Sequence, residues 1–296
     1  MIYINGNKFE AGHFPDGTQA IFNVEIPKNG TSITFKWEYE NDEEMITLMY
    51  LVRHFKENLP ILQKKNTTFR LIMMYVPNAR MDRTKKNTEV FTLKYFCDFI
   101  NSLEFDEVIV LDPHSNVTPA LLKNVRIESV EPYISYAIQD IEGWDIDGGV
   151  SWGGRSYIYF PDEGAMKRYG DLSCFGQRTK IYGHKKRNWS TGEIIGLEIF
   201  DANGEHLKEK ALDGEVVLMV DDIISYGGTL AYSADKLKEY GASAIYAYAS
   251  HTENSILDAE KGKLLERLKL GVVDGIFTTD SLFKGECDYI TIIDEV

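Results

Sequence analysis

The chain is 296 residues long, 44% hydrophobic and 26% charged, and carries a formal net charge of −14. That length accommodates two domains of about 130–160 residues, each large enough to bury a core. The negative charge argues against nucleic acid or an anionic membrane as the main partner, and the scattered cysteines Cys97, Cys174 and Cys287 suit free thiols better than a disulfide framework.

From the amino terminus to about Tyr39, Gly6, Gly12, Gly17 and Gly30 punctuate short strands and turns, and residues 32–39 alternate as a strand does. No basic segment leads into an apolar one there, and no stretch approaches the roughly 18 apolar residues of a membrane span, so a cytoplasmic protein is expected. Residues 42–59 predict a helix with Asp42 as N-cap and Pro60 just past its end. Residues 69–76 predict an apolar strand stopped by Pro77. Residues 88–103 predict a helix with Val90, Leu93, Phe96, Cys97 and Ile100 on one face. Residues 107–111 predict a buried strand that ends in Asp112-Pro113-His114-Ser115.

The second half repeats the theme. A strand at 156–160 ends at Pro161-Asp162, and a basic, turn-rich stretch at 180–191 leads into a hairpin-like region reaching Glu215. Residues 216–220 read as a buried parallel strand, followed by a helix over 229–240 with Leu230, Ala234 and Leu237 as its apolar spacing. A strand at 244–249, a helix near 256–268, and strands near Val273 and Tyr289 complete the chain. Strands alternating with helices predict an α/β protein with parallel sheets and right-handed crossovers. The boundary is placed near residue 130, giving domains 1–130 and 131–296.

The run from Val216 to Thr229 carries the most chemistry. Asp221 and Asp222 stand at a strand end, followed by the small-residue turn Ser225-Tyr226-Gly227-Gly228-Thr229 and then a helix. In open α/β sheets ligands bind outside the carboxyl ends of strands, and a helix N-terminus presents N–H groups to an anion. The two acids can accept hydrogen bonds from vicinal hydroxyls or bind a divalent cation. An ordinary βα connection also favours Asp and Gly, so the acid pair alone leaves both readings open. Arg80 and Arg83, with Asp82 between them, can form a phosphate clamp or a solvated basic turn.

Taken together, these segments resemble the ribose-phosphate diphosphokinase family. The run 216–229 resembles its phosphoribosyl-diphosphate loop, and Asn78-Ala79-Arg80-Met81-Asp82-Arg83 resembles its ATP-binding turn. Phe14-Pro15-Asp16-Gly17 looks like its adenine-contacting element, and Leu111-Asp112-Pro113-His114 like its Asp-Leu-His. Pro161-Asp162-Glu163-Gly164 looks like its Pro-Asp-x-Gly, and Lys185-Lys186-Arg187 occupies the place of its mobile basic loop. The resemblance implies two phosphoribosyltransferase-like (Rossmann-like) domains, the first binding ATP and the second ribose phosphate. It implies an Mg2+-dependent transferase that moves diphosphate from ATP to the C1 hydroxyl of ribose 5-phosphate, in a homo-oligomer, dimer or hexamer. Under it, Phe14, Asp16, Arg80, Asp82 and Arg83 bind ATP. His114 and Asp162 hold the metal. Asp221, Asp222, Ser225, Tyr226, Gly227, Gly228 and Thr229 bind the ribose phosphate, and Lys185 and Arg187 act on the transferring group.

Three departures stand out. Relative to the family pattern the chain lacks a first βα unit at the front, and its tail is short. Thr18 stands where the adenine element usually carries Glu. Tyr226 stands where a small hydroxyl residue is usual, which leaves room for a larger acceptor such as ADP-ribose, a link to NAD metabolism, or for a tyrosine that points away. A phosphoribosyltransferase would need neither the arginine clamp nor His114, and a non-catalytic relative would have lost the loop or metal residues.

Overall fold

A computed structural model describes residues 1–27, 32–143, 156–187 and 194–294. Contacts divide the chain into two compact units, Met1–Ser129 and Val130–Val296.

The first unit opens with a hairpin, β1 (Ile2–Ile4) and β2 (Asn7–Phe9), then a small two-stranded ribbon, β3 (Gly12–His13) and β4 (Gln19–Ala20). Strand β5 (Ser32–Trp37) is followed by helices α1 (Glu43–Asn58) and α2 (Ile61–Lys64), strand β6 (Thr68–Met73), helix α3 (Thr92–Ser102), strand β7 (Glu107–Leu111), helix α4 (Val117–Leu121) and strand β8 (Val125–Glu128). The main sheet runs in the order β2-β1-β5-β6-β7-β8, with β5 to β8 parallel and the hairpin antiparallel at one edge. Helix α1 buries Leu48, Leu51, Val52 and Phe55, a stripe three and four residues apart that packs with Phe35 and Trp37 of β5.

Several expected boundaries move for local reasons. Asp42 occupies the N-cap position of α1, but its carboxylate accepts the Tyr39 hydroxyl instead, and Asn41 Oδ1 takes the Glu43 N–H at 3.0 Å. The helix predicted from residue 88 begins at Thr92. Glu89 folds back to accept the Lys85 N–H, and Val90, expected on the buried face, is exposed. A turn closed by the Glu89 N–H on the Lys86 carbonyl at 3.0 Å precedes the helix there.

The second unit starts with α5 (Glu131–Glu142), which buries Tyr133, Ile134, Ala137 and Ile138. Strand β9 (Ser156–Phe160) and helix α6 (Glu163–Tyr169) precede a long pair, β10 (Thr179–Arg187) and β11 (Ile194–Asp201). Strand β12 (Val216–Ile224), helix α7 (Gly228–Glu239), strand β13 (Ala244–Thr252), helix α8 (Lys263–Lys269) and strands β14 (Gly275–Thr279) and β15 (Ile290–Ile293) finish the chain. The order is β11-β10-β9-β12-β13-β14-β15, parallel throughout except for β11. Helices α7 and α8 bury Leu230, Ala234, Leu237 and Leu264 in a core with Val217, Met219 and Ile245 of the sheet.

One expectation is overturned. Residues 180–187 are not a turn-rich loop but the continuous strand β10. Ile181 and Gly183 are buried on one face, and the strand pairs in parallel with β9 and antiparallel with β11. The dense positive charge suggested a solvated turn, whereas backbone pairing with β9 as far as Tyr182 and with β11 from Ile181 to Arg187 holds the segment extended. The helix expected near 256–268 is a 3-10 turn at Asn254–Leu257 followed by α8. Among the described residues no helix is long and apolar enough to cross a membrane. All three cysteines are free, and burial pushes the Cys97 thiol up to about 12.

Candidate functional site

In the second unit the acid pair lies inside the strand rather than past its end. Strand β12 continues to Ile224 because β13 continues beside it, pairing Asp221 with Ala249, Ile223 with His251 and Ile224 with Thr252. Asp222 is buried, and its N–H donates to Asp221 Oδ1 at 3.0 Å. Burial, then the Asp222 carboxylate, raise the Asp221 carboxyl well above the ordinary range, with Asp162 adding to it. A group that relieves this crowding must be a hydroxyl donor or a cation.

The turn that follows is anchored from below. Gly227 sits in the left-handed region at φ 73°, and a side chain there would collide with Leu264 of α8. The Tyr226 carbonyl accepts the Lys263 N–H at 2.9 Å. Helix α7 then starts at Gly228, and its first backbone hydrogen bond is from the Ala231 N–H to the Gly227 carbonyl at 2.9 Å. The N–H groups of Gly228, Thr229 and Leu230 therefore have no acceptor within the helix, which suits an anion. Tyr226 stands 40% exposed, with Lys261 Nζ 5.8 Å from its ring centroid.

Two of the expected residues behave differently from expectation here. The Ser225 hydroxyl, expected at a phosphate, donates to Glu253 Oε2 at 2.6 Å. Asp162, expected at a metal, caps α6 by accepting the Ala165 N–H at 3.0 Å. It still lies at the same edge as the acid pair, since β9 and β12 are parallel neighbours. Lys185, on β10, pairs with Leu197 of β11, and the ladder shifts register between Lys186 and Arg187. The Arg187 side chain lies outside the described residues.

In the first unit the turns after β6 and β7 meet. Asp82 is buried and accepts Arg83 Nε at 2.7 Å and Nη2 at 2.9 Å. Ser115 also donates to it, and His114 is close enough to add its charge. The Arg83 guanidinium, first, and these neighbours hold the Asp82 carboxyl down at about 2. One edge of Arg83 is thus spent on orientation, while 68% of the side chain remains exposed for a ligand. Asp82, Arg83 and His114 are brought together as a group. Because the Asp82 value is lowered on folding, its contribution to stability is complete above the ordinary carboxylate range and is lost as pH falls toward 2. Asp82→Asn should cost about 1 kcal/mol at pH 7, trimmed by the exposure of Arg83, and flatten the acid limb. Urea melts from pH 2 to 7 check this, and parallel curves for both proteins would contradict it.

The ribbon element is also formed. Its turn closes with the Phe14 N–H on the Thr18 carbonyl at 2.8 Å, and Asp16 Oδ1 accepts the Thr18 N–H and hydroxyl at 2.9 and 2.7 Å. Phe14 is about half exposed and packs edge-on against Phe22.

Among the described residues no three His, Cys, Asp or Glu side chains gather to hold a metal. Magnesium needs only one or two carboxylates where phosphates and water complete its shell. The Asp221–Asp222 pair fits such a cation, whereas His114 offers a nitrogen that a hard ion binds poorly.

No family model matches the chain. A ribose-phosphate pyrophosphokinase of Sulfurisphaera tokodaii is 27% identical over 97% of this chain and 88% of its own length. One from Saccharolobus solfataricus is 26% identical over 96% and 88%. The crystal structure of phosphoribosylpyrophosphate synthetase from Mycobacterium smegmatis superposes with a TM-score of 0.71 at 15% identity, covering 96% of this chain and 85% of the other. Over nearly its whole length the chain is thus similar to ribose-phosphate pyrophosphokinases, at the identity expected of a divergent relative. It shares the two-domain α/β fold of the synthetase structure, and the names of its relatives support an enzyme of the transferase type. Reading the sequence alone missed Glu253, Ser255 and Lys261. The signal was present: Glu253 directly follows a strand in the parallel sheet, as Asp162 does.

Proposed function

We propose that this chain transfers diphosphate from ATP to the anomeric hydroxyl of a 5-phosphorylated ribose and releases AMP. The observation that carries this reading is the acid pair on β12, of which Asp222 is buried, followed through a left-handed glycine by N–H groups of α7 that have no acceptor within the helix. Asp221 and Asp222 accept hydrogen bonds from the ribose hydroxyls, and the N–H groups of Gly228 and Thr229 receive the 5′-phosphate. Arg80 and Arg83 hold the ATP phosphates, with Asp82 fixing the angle of Arg83. Phe14 and Asp16 contact the nucleotide base, and Lys185 and Arg187 balance charge on the moving diphosphate. The ribose O1 forms a bond to the β-phosphorus and gives its proton to solvent, the bond from that phosphorus to the α,β-bridging oxygen breaks, and the electron pair leaves on AMP. Magnesium, when bound with ATP, screens the phosphate charge; the acid pair, with Asp162 at the same strand ends, is what would hold it.

The test is AMP release from ATP with magnesium and ribose 5-phosphate. Release no faster than with ATP alone, for any 5-phosphorylated ribose offered, overturns the reading.

A second acceptor is favoured by one observation, the exposed Tyr226 ring beneath Lys261 at the tip of the turn. A ring and a cation beyond the 5′-phosphate suit the second phosphate and adenosine of ADP-ribose. Assaying both acceptors at equal concentration decides between them, and no product with ADP-ribose removes the larger one.

A further inference from the structure

We propose that Tyr159 is a positioning residue for the acceptor: its hydroxyl sets where the anion-facing end of α7 stands on the sheet. The inference rests on the transferase reading above and deepens it. Tyr159 is on β9, in register with Met219 of β12, and its side chain is wholly buried. Its hydroxyl donates to the Ser233 hydroxyl of α7 at 2.8 Å, joining residues 74 positions apart in sequence. Ser233 is also wholly buried, about a turn and a half along the helix from the N–H groups assigned to the 5′-phosphate.

The same oxygen is closed in from its other side. Glycine at position 183 admits it, since a Cβ there would overlap the Tyr159 hydroxyl, meet Leu197 at 2.9 Å and stand 3.1 Å from the Pro161 carbonyl. Gly183 is two residues before Lys185, on the same face of β10, and Pro161 directly precedes Asp162. One buried hydroxyl thus lies against the helix that carries the phosphate-facing amides and the strand that carries Lys185, with the Asp162 turn alongside. Burial pushes the phenol up against the opposing bond to Ser233, and Asp162 and Asp221 are near enough to add to the rise. It stays protonated at neutral pH, and its single proton goes to Ser233. Leu230, Ala234 and Leu237 hold α7 on the sheet by apolar contact, which has no preferred direction. The hydrogen bond is directional and short-ranged, so it fixes the place of the helix along that contact. Without it the amides settle elsewhere, and a small displacement of binding groups costs affinity steeply.

Four proteins test this: the unaltered chain, Tyr159→Phe, Ser233→Ala and the double variant. Each is titrated calorimetrically with ribose 5-phosphate and melted in parallel. Either single variant leaves one buried hydroxyl without this partner and should lower the melting temperature by about 3–9 °C. In the double variant both polar groups are gone, and most of that loss should return. Affinity for ribose 5-phosphate should fall about tenfold in all three variants and should not return in the double one. The KM for ATP, assigned above to the arginines of the first unit, should stay within about twofold. Affinity that recovers together with the melting temperature makes the bond a matter of stability alone and overturns the proposal. So does a folded single variant that binds as tightly as the unaltered chain. The double variant decides even where a single one does not fold. No binding of ribose 5-phosphate by the unaltered chain would instead count against the transferase reading itself, and against this proposal with it.

Discussion

Lys185→Ala is expected to slow AMP release by about 10²–10³-fold, with KM for ATP moving less than about threefold. The separation between the two parameters follows from where the charge is needed. On the proposed reading Arg80 and Arg83 hold the substrate phosphates, so Lys185 matters chiefly when charge accumulates on the transferring group. Its placement strengthens the expectation. The resemblance implied a mobile loop, but the residue is on a strand and paired to Leu197 of β11. A strand fixes the Cα, so only the side-chain torsions must be ordered in the transition state. Lys185→Arg should keep much of the rate, since the charge survives in altered geometry. Single-turnover AMP formation measures this directly, and a loss smaller than about tenfold would remove Lys185 from the reaction.

What could be read from the sequence followed how continuous each apolar run was. Residues 107–111 and 156–160 are uninterrupted strands flanked by turn residues, and both ended up bounded as expected. The acid-bearing strand was recognised but cut short. Carboxylates look like turn residues, and only the partner β13 shows that pairing continues through them to Ile224. The same misjudgement at the neighbouring strand placed its end at Ala249, although Ser250, His251 and Thr252 are all buried in it. For His251 the polarity is satisfied far away in sequence, its Nδ1 lying 2.7 Å from the Ser281 hydroxyl. Glu253 was hidden for that reason: its position one residue past a strand end became visible only once that end was correctly placed. The sequence offered Arg83 as a phosphate cation or, in the solvated-turn reading, as a partner of Asp82, and the structure has Asp82 claim one edge of Arg83 while the rest stays exposed. Hydrogen-bond partners three-dimensionally close and chemically local, as in that pair, are not encoded in residue type alone.

Adjacent glycines in the phosphate turn make opposite predictions. At Gly227 the backbone is left-handed, and an added Cβ would run into Leu264, which is fully buried in the core of its unit. Alanine there should cost about 1 kcal/mol for the conformation and a further 1–3 kcal/mol for displacing Leu264. For a unit of this size that is about 5–15 °C off the thermal midpoint. Acceptor binding should weaken too, because α8 and the turn move together through the Tyr226 carbonyl and the Lys263 N–H. At Gly228 an added Cβ meets nothing within 4 Å, and the residue is the first of α7. Alanine there should leave the midpoint within about 2 °C or raise it slightly, since it suits a helix better than glycine. Any loss of acceptor affinity in Gly228→Ala without a change in melting would then report crowding of the phosphate itself. Two variants melting alike would mean that Leu264 does not support the turn, and the anchoring of the anion site on α8 would have to be abandoned.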